Sequence, residues 1–95
     1  MVIIDIPNEF LWDKGNKGKN LSKHKVADQE CEESFFDQKK KIFKDVLHSN
    51  NEVRFILLGK TKEERVLFIV FTLRQGKVRV ILARDLNRKE MHLYE

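Results

Sequence analysis

The chain has 95 residues, 41% hydrophobic and 36% charged, with a net charge of +4. That is enough for a single domain, residues 1–95, with one modest core under a heavily charged surface. Four Gly and one Pro exclude a low-complexity chain, and the lone Cys31 excludes an internal disulfide or a metal site built from thiolates. No apolar run approaches the roughly 20 residues of a membrane span, and the N-terminus has no signal-peptide apolar region, so no membrane is expected and the expected compartment is a reducing cytoplasm.

Val2–Ile6 and Phe10–Trp12 are short apolar pieces flanking Pro7, and one of them should be a strand. Lys14–His24 reads as a first helix with Leu21 as its main apolar residue, although Gly15 and Gly18 each weaken it by about 1 kcal/mol against Ala. Asp28 is placed to N-cap a second helix reaching about Phe36, with Cys31 and Phe35 spaced i, i+4. Lys39–Lys41 is a solvated charge run. Ile42, Phe43, Val46 and Leu47 fit either a turn of helix or a strand, and His48–Asn51 reads as a loop. From Val53 the pattern sharpens. VRFILLG is a strand ending at Gly59, and KTKEE is a polar turn. RVLFIVFTLR is a β-branched and aromatic run that reads as a central strand buried on both faces. Gln75-Gly76 is a tight turn, KVRVILA the returning strand, and Arg84–Glu95 a polar helix with Leu86 and Leu93 on one face. The fold class is α+β.

Charge is unevenly spread. Residues 1–52 hold nine Lys, no Arg and ten acids, whereas all six arginines (Arg54, Arg65, Arg74, Arg79, Arg84, Arg88) fall in residues 53–95. The guanidinium fork suits phosphate or carboxylate, so an anionic partner is indicated, against the competing reading of a solvated cationic surface. A two-residue Gln75-Gly76 loop pairs Arg74 with Lys77, Thr72 with Arg79, Val70 with Ile81 and Phe68 with Ala83 on one face. The other face carries Leu67, Ile69, Phe71 and Leu73 against Val78, Val80 and Leu82, apolar until Arg84, and should lie against the helices. Arg54 joins the basic face if Ile56 pairs with Phe68, and leaves it on a one-residue slip. On the last helix Arg84 and Arg88 fall one turn apart, with His92 one turn further.

These residues resemble a known family. Trp12, Asp13, Lys17, Asn20, Lys23, His24 and Val26, ahead of a short helix ending in Phe-Phe-Asp, are similar to the N-terminal signature of BrnT-type toxins. Glu52, Arg54, Phe55, Leu58 and Gly59 match a second segment of its pattern. Phe71, Thr72, Arg74, Arg79, Ile81, Ala83, Arg84, Arg88, Glu90, Tyr94 and Glu95 match a third. The resemblance covers nearly the whole chain. It implies a RelE-like fold, with N-terminal helices and a C-terminal helix packed on a small antiparallel sheet, in a small ribonuclease that arrests translation and growth. It also implies a cognate antitoxin with a ribbon-helix-helix DNA-binding domain, in a two-plus-two heterotetramer. The chain differs from the family in carrying Gly15 and Gly18 where its first helix is Ala-rich, and Lys25 where glycine, which allows positive φ, is preferred.

On that basis Trp12 is a core anchor, Asp13 caps the first helix, and Asn20 is a structural hydrogen-bonder. RNA cleavage without a metal needs a base for the 2′-hydroxyl, cations for the charge that builds on phosphate, and an acid for the leaving oxygen. No His/Asp/Glu cluster has ligand spacing, so neither metal nor cofactor is expected. Arg54, Arg79 and Arg84 are assigned to phosphate, and His24 and Lys23 to proton transfer or positioning, with Tyr94 or His92 as substitutes. Arg74, Arg88 and Tyr94 are assigned to substrate binding. The competing class is a basic module that binds an acidic partner or nucleic acid without cutting it; salt-sensitive RNA binding without product formation would identify it.

Overall fold

The three strands expected from Val53 onward form a meander, and a fourth joins them at one edge. In the computed structural model, which describes residues 1–48 and 51–95, the strands are β1 (Lys41–Lys44), β2 (Arg54–Lys60), β3 (Val66–Arg74) and β4 (Lys77–Asp85), in one antiparallel sheet of order β1-β2-β3-β4. The helices among the described residues are α1 (Lys19–His24), α2 (Asp28–Phe35) and α3 (Met91–Tyr94), with single 3₁₀ turns at Val46–His48 and Arg88–Glu90. The arrangement is the expected α+β one and is compatible with a RelE-like toxin. Of the expected His48–Asn51 loop, Ser49 and Asn50 lie outside the described residues.

One face of the sheet carries the core. Leu57, Leu67, Ile69, Phe71, Val78, Val80 and Ala83 are buried there with Val26, Cys31 and Phe35 of the helical layer. Edge-to-face contacts run from Phe10 to Phe35 at 5.2 Å and from Phe35 to Phe71 at 5.0 Å, a geometry worth about 1 kcal/mol per pair beyond burial. Gly59 lets the layers meet, because a Cβ there would strike the Ser34 carbonyl of α2. Burial also raises the Cys31 thiol to about 12, helped by Asp28, Glu30 and Glu32, so it is a packing group and not a nucleophile. β3 is buried along its core face, at Leu67, Ile69 and Phe71, and less evenly than expected on the outer face, where Thr72 is buried but Phe68 and Val70 are only partly so.

Several boundaries move for identifiable reasons. α1 begins at Lys19, not Lys14, because Gly18 takes a left-handed conformation (φ 71°) and Asp13 organises the preceding residues into turns, its carbonyl accepting from Asn16 and Lys17 N–H. Asp13 therefore caps those turns and not α1. Asp28 is the first residue of α2, not its N-cap. Glu30 reaches back to the Ala27 N–H, and the Asp28 carboxylate accepts from Gly18 N–H instead. The Val2–Trp12 region forms no full strand; Phe10 makes one parallel bridge to Val78. The last helix is far shorter than Arg84–Glu95. Arg84 and Asp85 continue β4, the Asn87–Glu90 capping box starts a 3₁₀ turn, and α3 covers only the final turn. Arg84, Arg88 and His92 thus do not line one helix.

The exposed edge of β4 is closed by the N-terminal segment. Val78 exchanges backbone bonds with Glu9 and Leu11, the Asn16 amide donates to Val80 O at 3.1 Å, and Asn20 Oδ1 accepts from Ala83 N–H at 2.9 Å. Asn20 is the structural hydrogen-bonder expected of it, and the edge offers no open ladder to a stray strand.

Candidate active site

Register decides which arginines meet. Arg54 pairs with Thr72, and Thr72 with Arg79, so these three lie in one row across β2, β3 and β4 on the face opposite the core. The first hairpin pairs Ile56 with Val70, not Phe68; a two-residue shift keeps every side chain on its face. Gln75 and Gly76, at φ 55° and 72°, form the two-residue turn, and Arg74 pairs with Lys77 as expected. Beyond Thr72 the second hairpin departs from expectation. Val70 pairs with Leu82 while Phe71 pairs with Val80, leaving Ile81 as a bulge. The bulge brings Arg84 opposite Phe68 and onto the same face as Arg79, where simple alternation had put it on the core face.

A hollow of about 220 Å³ opens over the row, lined by Gly15, Asn16, Glu52, Arg54, Arg74, Arg79, Val80 and Ile81. Arg79 is closely held there, with a side chain only 13% exposed against 43% for Arg74. Its Nη1 donates to Asp13 Oδ2 at 2.7 Å. That bond, with the Gly15 N–H on Oδ1, holds the Asp13 carboxyl below the usual carboxylate range. Gly15 supplies the room: a Cβ there would sit 2.5 Å from Arg79 Nη2. Arg74 Nη2 bridges both oxygens of Glu52 at 2.9 and 3.0 Å. Beside this hollow lies a second, of about 250 Å³, lined by His48, Asn51, Glu52 and Arg54. Glu52 and Arg54 are common to both. In the second, His48 Nδ1 lies 3.1 Å from each oxygen of the buried Asp45 carboxylate.

The other assigned residues are elsewhere. Arg84 lies four ladder positions from Arg79, about 13 Å. Its guanidinium sits 4.0 Å over the Phe68 ring and holds Glu90 with two bonds, at 2.9 and 3.0 Å. Glu90 raises the proton affinity of Arg84 and is itself held below the carboxylate range, so this pair fastens the C-terminal cap to β4. Tyr94 stands beside Lys60, whose ammonium is 5.9 Å from its ring, at the opposite end of β2 from Arg54. Tyr94 donates to Asp37 at 2.6 Å, and burial, then that bond, pushes its hydroxyl up to about 12. His24 and Lys23 end α1 near Arg65, which binds the His24 and Lys25 carbonyls, Glu30 and Asp85; that is the Asp85 end of β4, away from Arg79. Arg88 is exposed. Arg65 is a structural cross-link. The residues assigned from sequence to one reaction therefore divide between two ends of the sheet, with Arg54, Arg74 and Arg79 together at one.

The sequence model of the BrnT family, the ribonuclease toxin of type II toxin–antitoxin systems, matches residues 12–90. The chain belongs to this family. It is accordingly a ribonuclease toxin whose partner is an antitoxin. The matched segment runs from Trp12 through Glu90 and includes both ends of the sheet. Comparison with curated proteins gave no match. Among the described residues no helix is long and apolar enough to cross a membrane, and no three His, Cys, Asp or Glu side chains gather as a metal-binding group.

Sequence reasoning gave no site role to Glu52, Gly15 or the Asp45–His48 pair. For the last, the i, i+3 spacing was available, but nothing along the chain placed it beside Arg54.

Proposed function

We propose that the toxin cleaves RNA, without a metal cofactor, at the Arg54–Thr72–Arg79 row. The observation that carries this reading is the convergence of three arginines from three strands around one small hollow. Preorganised positive charge is the main requirement for stabilising a phosphorane-like transition state. Arg79, clamped between Asp13 and Gly15, presents its remaining guanidinium donors at a fixed angle; Arg54 faces it across Thr72. Arg74 adds charge at the rim, with Glu52 as an exchangeable counter-ion that an incoming phosphate displaces. Ile56, Val70 and Leu82, half-exposed on the same face, provide an apolar floor for bases between this end and Arg84. His24, Lys23, Arg84, Arg88 and Tyr94 take supporting roles at the far end of that floor, in contact with the rest of the RNA strand or with the packing of the C-terminus.

The partner is an antitoxin with a ribbon-helix-helix DNA-binding domain, whose dimer holds two toxins in a two-plus-two assembly in the cytoplasm. Neutralisation then covers the arginine row.

The test uses purified toxin and a short single-stranded RNA. Arg54→Ala and Arg79→Ala should each remove cleavage while leaving the folded circular-dichroism spectrum. Each should also weaken binding to a 2′-deoxy analogue and reduce its log–log salt slope by about 0.7, as loss of one phosphate contact on a single strand requires. Retained cleavage in both variants would refute the placement. Salt-dependent binding by the wild type with no product would point instead to a binding-only module.

A further inference from the structure

His48 is held by a buried carboxylate beside Arg54, one end of the arginine row. Its ring is held at one nitrogen: Nδ1 lies 3.1 Å from both oxygens of Asp45. Asp45 is buried, with a side chain only 10% exposed, while that of His48 is 65% exposed. A carboxylate only accepts hydrogen bonds, so Nδ1 carries the proton. In the neutral ring the lone pair is therefore on Nε2, the orientation by which a carboxylate prepares a histidine to take a proton. Asp45 is also tied to the site strand, since its N–H donates to Arg54 O at 2.8 Å. The ring opens on the hollow of about 250 Å³ that it lines with Asn51, Glu52 and Arg54, and that hollow shares Glu52 and Arg54 with the one around Arg79. Among the described residues, the charged groups that bond His48 or line this hollow with it are Asp45 from its own turn and Glu52 and Arg54 from the β2 side. His24, the histidine chosen from sequence, ends α1 at the other end of β4.

We propose that His48 is the general base of RNA cleavage, with Asp45 as its positioning residue; this rests on the arginine row being the cleavage site. His48 Nε2 takes the proton of the ribose 2′-hydroxyl. The 2′-oxygen forms a bond to the adjacent phosphorus as the bond from phosphorus to the 5′-oxygen breaks. Arg54 and Arg79 hold the non-bridging oxygens. The departing 5′-oxygen takes a proton from water, and the imidazolium returns its proton to solvent. The products are a 2′,3′-cyclic phosphate and a 5′-hydroxyl, and no other reactant is consumed.

The experiment compares wild-type toxin with His48→Ala, His48→Gln and Arg79→Ala on one RNA, with product ends identified. Both His48 variants should lose cleavage by roughly 10²–10⁴-fold, as removal of a general base does. Both should bind the 2′-deoxy analogue as the wild type does, and free imidazole should restore part of the His48→Ala rate. His48 variants that cleave at the wild-type rate overturn the assignment. So does a loss matched by an equal loss of binding to the analogue, which makes His48 a binding group. Full activity of Arg79→Ala overturns the placement of the site, a separate failure from that of His48.

Discussion

Arg79 and Asp13, 66 positions apart in the chain, meet at 2.7 Å across the edge of β4, and the missing side chain of Gly15 leaves the space in which they do so. The opening WD-x-G stretch thus serves the far end of the sequence: Trp12 anchors it through an indole N–H bond of 2.7 Å to Glu32, Asp13 aims Arg79, and Gly15 makes way for it.

Asp13→Asn should separate orientation from charge. The carboxylate bond to Arg79 is replaced by a weaker neutral one, while one negative charge leaves the site. The turnover rate should fall about tenfold, a loss near 1.4 kcal/mol of transition-state stabilisation, with RNA binding undiminished. Single-turnover cleavage alongside titration of the 2′-deoxy analogue checks this. A fall in binding equal to the fall in rate would count against the clamp.

Gly15→Ala tests the same clamp from its other side. Gly15 is not a positive-φ position, unlike Gly18, so the substitution adds volume without backbone strain. The new methyl group forces the Arg79 guanidinium aside, and cleavage should drop by one to two orders of magnitude, about 1–3 kcal/mol in barrier. The melting temperature should move by no more than a few degrees. Gly18→Ala, where nothing lies within 4 Å, is the control, and it should tell on stability through its φ of 71° while leaving the Arg79 environment intact.

Lys25→Gly should stabilise the fold. Lys25 ends α1 in the left-handed region at φ 58°, ψ 34°, and the chain closes there with Val26 N–H bonding Asn20 O at 3.1 Å. A Cβ in that conformation costs about 1 kcal/mol, and glycine is the usual solution at a helix end of this type. Urea denaturation should report a gain of roughly 0.5–1 kcal/mol, offset in part by the greater entropy of an unfolded glycine. Unchanged or lower stability would mean that the Lys25 side chain contributes more than its backbone strain subtracts.

Tyr94→Phe should lower stability near neutrality and flatten its pH dependence at both ends. Burial alone would raise the Asp37 carboxyl, but the Tyr94 hydroxyl and the Lys39 and Lys60 N–H groups outweigh it and hold it below the carboxylate range. Its contribution is therefore full above about pH 4 and fades as acid protonates it. Tyr94, raised to about 12, contributes fully below about pH 10 and loses that contribution as pH climbs to its folded value. Removing the hydroxyl should cost about 1 kcal/mol near neutrality and flatten the alkaline loss, as thermal melts from pH 3 to 11 would record. RNA cleavage should change little, because Tyr94 lies at the far end of β2 from Arg54.

How much of this was readable along the chain follows from the range of each interaction. The Gln75-Gly76 hairpin was legible because turn chemistry and alternation act over a few residues, and they fixed the Thr72–Arg79 and Arg74–Lys77 pairs. Arg84 was misplaced twice. Ile81 is as apolar as its neighbours, so the bulge left no trace in the alternation. Arg84-Asp85 looks helical because a polar pair at a strand end resembles a helix surface. Asp13 was read as a local cap, since its true partner is set by docking of the N-terminal segment on β4. The Asp45–His48 pair needed the β1–β2 pairing before its place beside Arg54 could be seen.

The central claim, that the Arg54–Thr72–Arg79 row is the cleavage site, is tested most directly by inducing the wild-type toxin and Arg79→Ala at equal soluble levels in a bacterial host and following growth and RNA integrity together. Growth arrest with RNA loss for the wild type, and neither for Arg79→Ala, is the predicted result. Arrest and RNA loss of equal extent in both would contradict the claim and move the chemistry to the other end of the sheet, where Arg84 and Tyr94 lie.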